Sequence, residues 1–96
     1  MPEYSRVVTF EADAAALDAL VAEIDSAEAP PGVPATRITV LADRAAGKVV
    51  VAIRFGSEED LRTGAATLEA MSPPERGNIR RVSVDAYEVV LERVAQ

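Results

Sequence analysis

The sequence predicts an α+β fold with the element order βαββαβ. Three observations carry that expectation. Segments 4–10, 36–42, 48–55 and 79–93 alternate their side chains with a period of two, as half-buried strands do. Segment 13–28 and the segment from Ser57 to Met71 space their apolar residues at helical intervals. A compact turn, Asp43-Arg44-Ala45-Ala46-Gly47, joins the second and third strands into a hairpin.

The first strand, 4–10, is rich in β-formers. Arg6, Val8 and Phe10 point one way; Ser5, Val7 and Thr9 point the other. Over 13–28, Leu17, Leu20, Val21 and Ile24 form one apolar stripe, and Asp13 can cap the helix start. Proline disfavours helix in the residue before it, so this helix ends before Pro30-Pro31-Gly32-Val33-Pro34. In strand 36–42, Ile38 and Val40 share one side, while Arg37, Thr39 and Leu41 share the other. Strand 48–55 is the strongest β signal: Val49, Val51, Ile53 and Phe55 face one way, Lys48, Val50, Ala52 and Arg54 the other.

Ser57-Glu58-Glu59-Asp60 resembles a capping box, and its acids suit the positive end of the helix dipole. Leu61, Ala65, Leu68 and Met71 continue the buried stripe. Gly64 in mid-helix costs up to about 1 kcal/mol relative to alanine, so a close approach to the sheet is expected there. Ser72-Pro73-Pro74 stops the helix. The last segment, 79–93, alternates through Val82, Val84 and Ala86, then shifts phase to Tyr87, Val89 and Leu91. That shift predicts a bulge, or a strand that passes to another sheet. Together these elements describe the split βαβ, or ferredoxin-like, arrangement: a four-stranded antiparallel sheet with two helices on one face. Residues 1–96 read as a single domain.

Composition excludes several chemistries. The chain has no cysteine, histidine or tryptophan. There is thus no thiolate nucleophile, no Ser-His triad, no Cys-based zinc site and no proximal haem histidine; no cofactor and no metal are expected. The acid clusters Glu11/Asp13, Glu23/Asp25 and Glu58/Glu59/Asp60 are explained by helix caps and solvated faces. A net charge of -6 argues against nucleic acid, and Arg80-Arg81 is too short a basic run to reverse that. Valines stand where an RNA-recognition strand would carry stacking rings. No apolar run is long enough to span a membrane. The start, Met1-Pro2-Glu3-Tyr4, lacks the character of a signal peptide, which gives the expectation of a soluble cytoplasmic protein.

The second sheet face carries the functional question. With a compact hairpin, Arg37 falls opposite Arg54 and Thr39 opposite Ala52. Like charges opposed across strands are unfavourable, so a negative group is expected nearby: Asp85, a partner's carboxylate or a bound anion. Both arginines splaying into water is the alternative. Val7, Leu41 and Val50 make this face too apolar to stand bare and too polar for a core, which predicts a homodimer in which two such faces meet.

The short first strand, the Ala/Leu helix, the hairpin 36–55, the helix opened by Ser-Glu-Glu-Asp and the long end Tyr87-Glu88-Val89-Val90-Leu91-Glu92-Arg93 resemble the dimeric α/β-barrel superfamily. That superfamily includes the antibiotic-biosynthesis-monooxygenase-like proteins. The resemblance implies two subunits closing their sheets into a barrel, with a pocket between sheet and helices for a small organic ligand. Members that oxygenate polyketides or degrade haem lean on Trp, His and Asn, whereas this chain has only Asn78, in a turn.

The ligand-binding candidates are Tyr4, Arg37, Arg54, Tyr87 and Asp85. Tyr4 and Tyr87 have hydroxyls that can orient a phenol or quinone, although interface packing explains them as well. Arg37 and Arg54 can hold a carboxylate or phosphate in bidentate fashion. Asp85 is a general base if shielded, and otherwise an arginine's partner. Phe10, Phe55 and Met71 read as core. Two functions follow: a small-molecule-binding dimer, with cofactor-independent monooxygenase-like or isomerase-like chemistry as its extension, or a non-catalytic regulatory or assembly module. An ACT-like version of the latter would place glycine after the first strand, where this chain reads Phe10-Glu11-Ala12-Asp13.

Overall fold

The computed structural model describes residues 2–26, 33–71, 75–76 and 79–95. Strands β1 (Tyr4–Ala12), β2 (Ala35–Asp43), β3 (Lys48–Phe55), β4 (Glu75–Arg76) and β5 (Ile79–Glu88) alternate with helices α1 (Ala14–Ser26) and α2 (Glu58–Met71). The sheet order is β2-β3-β1-β5, with the two-residue β4 added at the β5 edge, and every pairing is antiparallel. This is the ferredoxin-like arrangement: the central strands β1 and β3 are neighbours, and both helices lie on one face. Four strands and two helices were expected; β4 is the addition.

Alternation decides the core. Val49, Val51, Ile53 and Phe55 of β3 are all buried, as are Val8 and Ala12 of β1. Leu17 of α1 packs with Val49 and Ala12, and Leu61 of α2 packs with Val51, Ile53 and Phe55. Leu20 and Ile24 complete the α1 stripe at half burial. Val21 does not belong to it; at i+4 from Leu17 it lies on the stripe's margin and is exposed. Ala65 and Leu68 of α2 are half-buried as expected. The side chain of Met71 lies outside the described residues, as do Pro30-Pro31-Gly32, Ser72-Pro73-Pro74 and Asn78.

The caps follow from side-chain chemistry. The Asp13 carboxylate accepts from the Ala16 N–H at 2.8 Å, and the Ser57 hydroxyl accepts from the Asp60 N–H at 3.1 Å. Each satisfies a donor that the first helical turn leaves open. Gly64 sits directly on the Phe55 ring: a Cβ there would come within 2.4 Å of a ring carbon.

The hairpin loop ends on Gly47, at φ 67°, while the Asp43 carboxylate accepts from the Ala46 N–H at 3.1 Å. The Gly47 carbonyl accepts from the Ala12 N–H at 2.9 Å, so this turn also clasps the end of β1. Gly47→Ala is expected to cost about 1–2 kcal/mol, the penalty for an L-residue in the left-handed region. A urea-unfolding midpoint equal to that of the wild type would contradict this.

The last strand differs from expectation. Thr9 pairs with Ser83 but Phe10 with Arg81, so Val82 is an extra residue and the bulge lies there. From Ser83 to Glu88 the pairing with β1 is unbroken, so the expected phase shift at 85–87 is absent. The bulge puts Ile79, Arg81, Val84 and Ala86 on the helix side and Tyr87 and Asp85 on the open side. The strand ends at Glu88 rather than continuing to Arg93. No helix among the described residues is long and apolar enough to cross a membrane.

Candidate functional site

The ladders sort the candidate residues into cross-strand rows. On the open face one row reads Arg37, Arg54, Ser5, Tyr87, and the next reads Thr39, Ala52, Val7, Asp85. The hairpin register therefore does oppose Arg37 and Arg54. It is reached past an irregularity between Ala35 and Arg37, where the Thr36 hydroxyl donates to the Arg54 carbonyl at 3.3 Å.

The negative group between these arginines is Glu92. Beyond β5, the Val89 N–H donates to the Glu3 carbonyl at 2.8 Å and carries the chain past the start of β1. Glu92 then meets Arg54 as a fork, with Nη1–Oε1 at 3.3 Å and Nη2–Oε2 at 2.7 Å. Arg37 Nη1 lies 3.6 Å from the same carboxylate, and Glu3 lies 3.7 Å from Arg54. The Arg54 side chain is 18% exposed against 63% for Arg37, so Arg54 is the anchored member of the pair. Hydrogen bonding from Arg54 holds the Glu92 carboxyl below its ordinary pKa and raises that of Arg54. Asp85 makes no ion pair among the described residues, and Tyr87 is exposed beside Ser5.

Tyr4 belongs to the opposite face, where it packs half-buried against the Phe55 cluster. The Glu58 carboxylate, as acceptor for the Tyr4 hydroxyl, raises the phenol pKa, and Glu58 is also paired with Arg62. The structure thus brings Arg37, Arg54 and Tyr87 into one row with Asp85 in the next. The sheet separates Tyr4 from all four.

The helix side holds a cluster that the sequence reading passed over. Arg6, on β1, is 6% exposed and is the buried charged residue of the described core. Its Nη2 lies 2.9 Å from Glu69 Oε2 on α2. Arg81, two rows away on β5, forks the same carboxylate, with Nη1–Oε2 at 2.9 Å and Nη2–Oε1 at 2.8 Å. Two guanidinium groups therefore share one carboxylate. Burial lowers the Arg6 pKa, opposed by Glu69, while hydrogen bonding from Arg81 holds Glu69 below the ordinary carboxylate range. The signal lay in the alternation, which puts Arg6 on the same side as Val8 and Phe10. Among the described residues no group of three or more Asp or Glu side chains is placed to hold a metal ion.

Both depressed carboxylates link stability to acid. A group whose folded pKa lies below its unfolded value stabilises fully above the unfolded value, about 4.3 for glutamate, and loses that contribution as pH falls through the folded value. Glu69 and Glu92 both have this sign. Glu92→Gln should therefore shallow the fall of the unfolding midpoint below about pH 4.3. A variant whose acid limb parallels the wild type would show that the Glu92 fork carries no linkage.

No family model, curated protein or solved structure matches the chain. The site is defined by its own residues: an arginine pair held by the segment after β5 on one face, and a buried arginine with its neighbour on the other.

Proposed function

We propose that the chain is one subunit of a cytoplasmic homodimer, a dimeric α/β barrel, that binds a small organic ligand between its sheet and its helices. The observation supporting ligand binding is an uncovered strip. On the helix side, β1 and β3 are buried, but Val84 of β5 remains 39% exposed and Ala86 beside it is exposed. Apolar surface left open next to fixed polar groups is the ordinary make-up of a small-molecule site. Cofactor-independent oxygenation or isomerisation would be chemistry performed on a ligand held there.

The dimer is supported by the other face. Leu41 is exposed on it, with Val7, Val50 and Ala52 half-buried beside it. The adjoining segment 89–95 adds Val90, Leu91 and Val94, each more than four-fifths exposed. Apolar surface of this extent is characteristic of an interface. The same segment favours a second reading, a non-catalytic assembly module whose partner is a different protein.

Two measurements test the proposal. Sedimentation velocity should give a dimer, and Leu41→Asp, at an exposed position, should give a folded monomer. A wild-type monomer at high micromolar concentration overturns the homodimer. Methyl-resolved NMR with benzyl alcohol as probe should shift the Val84 and Ala86 methyl signals; shifts confined to the open face overturn the sheet–helix site.

A further inference from the structure

We infer that Arg6 and Arg81 form the binding site for a carboxylate on that ligand, and that Glu69 is an internal stand-in which the ligand's acid group displaces. The inference rests on the sheet–helix ligand site proposed above and names its ligand class: a small monocarboxylic acid with an apolar body.

A guanidinium on a central strand is expensive to bury, and the usual compensation is a carboxylate buried with it. Here the compensation is incomplete. Among the described residues, Arg6 and Arg81 together carry two positive charges against the single charge of Glu69, leaving the cluster one positive charge in excess. That excess suits an anion.

Mobility is divided unequally. Arg6 is almost wholly enclosed and Arg81 is 19% exposed, but Glu69 is 51% exposed. Glu69 can therefore rotate into water without unpacking the core, whereas the arginines stay where the sheet holds them. What remains when it leaves is a preformed receptor. Arg81 offers two parallel N–H donors, shown by its fork on Glu69, and Arg6 adds a third donor to the same oxygen. A planar carboxylate reproduces this pattern atom for atom.

Register supplies the apolar half. Arg6 pairs with Ala86, Val8 with Val84, and Phe10 with Arg81. The Val8–Val84 row thus lies between the rows of the two arginines, on the helix side of the sheet. A ligand whose acid group sits at Arg6 and Arg81 has its hydrocarbon over Val84 and Ala86, the uncovered strip. The open-face arginines lack this combination: Arg54 is already forked by Glu92 and flanked by Glu3.

The test uses the full chain and three probes, benzoate, benzyl alcohol and inorganic phosphate, titrated while the Val84 methyl signals are followed. Benzoate should bind more tightly than benzyl alcohol. Glu69→Gln keeps one acceptor for Arg6 and removes the competing charge, so it should tighten benzoate by about tenfold or more and leave benzyl alcohol unchanged. Glu92→Gln removes the same charge on the other face and should tighten benzoate far less. Arg81→Gln, at the less buried arginine, should weaken benzoate by about tenfold with the fold verified by circular dichroism. Benzyl alcohol binding as well as benzoate overturns the carboxylate assignment while the ligand site stands. Neither probe reaching Val84 overturns both. Phosphate matching benzoate, or equal tightening by Glu69→Gln and Glu92→Gln, also overturns the assignment, since it leaves only general attraction for anions.

Discussion

Gly64→Ala should destabilise the protein, although alanine is the better helix former. The exchange gains up to about 1 kcal/mol of helix propensity. Against that, the new methyl would stand 2.4 Å and 2.8 Å from two carbons of the Phe55 ring. Phe55 has no exposed surface, so its ring has nowhere to turn, and α2 must lift from the sheet instead. Overpacking typically costs about 1–3 kcal/mol, and contacts this close lie in the upper part of that range, so the net loss expected is about 1–2 kcal/mol. For a domain of this size that lowers the melting temperature by roughly 4–8 °C per kcal/mol. An unchanged or raised melting temperature would mean that α2 sits further from Phe55 than described.

Phe55→Ala should cost more, about 3–5 kcal/mol, the range for emptying a buried phenylalanine site. Total stability of a small domain is about 5–15 kcal/mol, so this change alone brings the fold near its limit. The site cannot refill easily, because the residue above it is Gly64, which has no side chain to fall into the space. The double variant separates the two effects. With the ring gone, the methyl of Gly64→Ala has room, and the same substitution becomes neutral or mildly stabilising. A coupling of about 2 kcal/mol between the positions is expected in chemical denaturation. Strict additivity of the two losses would sink the contact argument.

Much of this architecture was legible because a period of two leaves little choice. Strand β3 was bounded correctly to the residue, and the sides of β1 and β2 followed from which positions are apolar. The opposition of Arg37 and Arg54 was legible because a four-residue loop fixes how the hairpin strands meet. What could not be read has specific causes. Val82, Val84 and Ala86 alternate without a break, so the extra residue at Val82 leaves no mark in the hydropathy pattern. Glu92 was read as part of a strand because Val89, Val90 and Leu91 resemble one; its role depends on the chain leaving the sheet after Glu88. The burial of Arg6 depends on Glu69, 63 residues away on another element, and no local pattern joins such a pair. Of the sequence candidates, Arg37, Arg54, Tyr87 and Asp85 share the open face and Tyr4 lies on the helix side, and the buried charge at Arg6 was not among them.

The place of β1 has a consequence for how the chain reaches this state. The strand at the middle of the sheet is the first to be synthesised, and one of its two neighbours is the last: Tyr4 pairs with Glu88. Pairings so distant along the chain form slowly, since a large loop must close before any bond rewards it. Until β5 arrives, one side of β1 presents unpaired backbone groups, the kind of edge on which nascent chains aggregate. The sheet therefore stays incomplete for as long as the residues between β1 and β5 are being made.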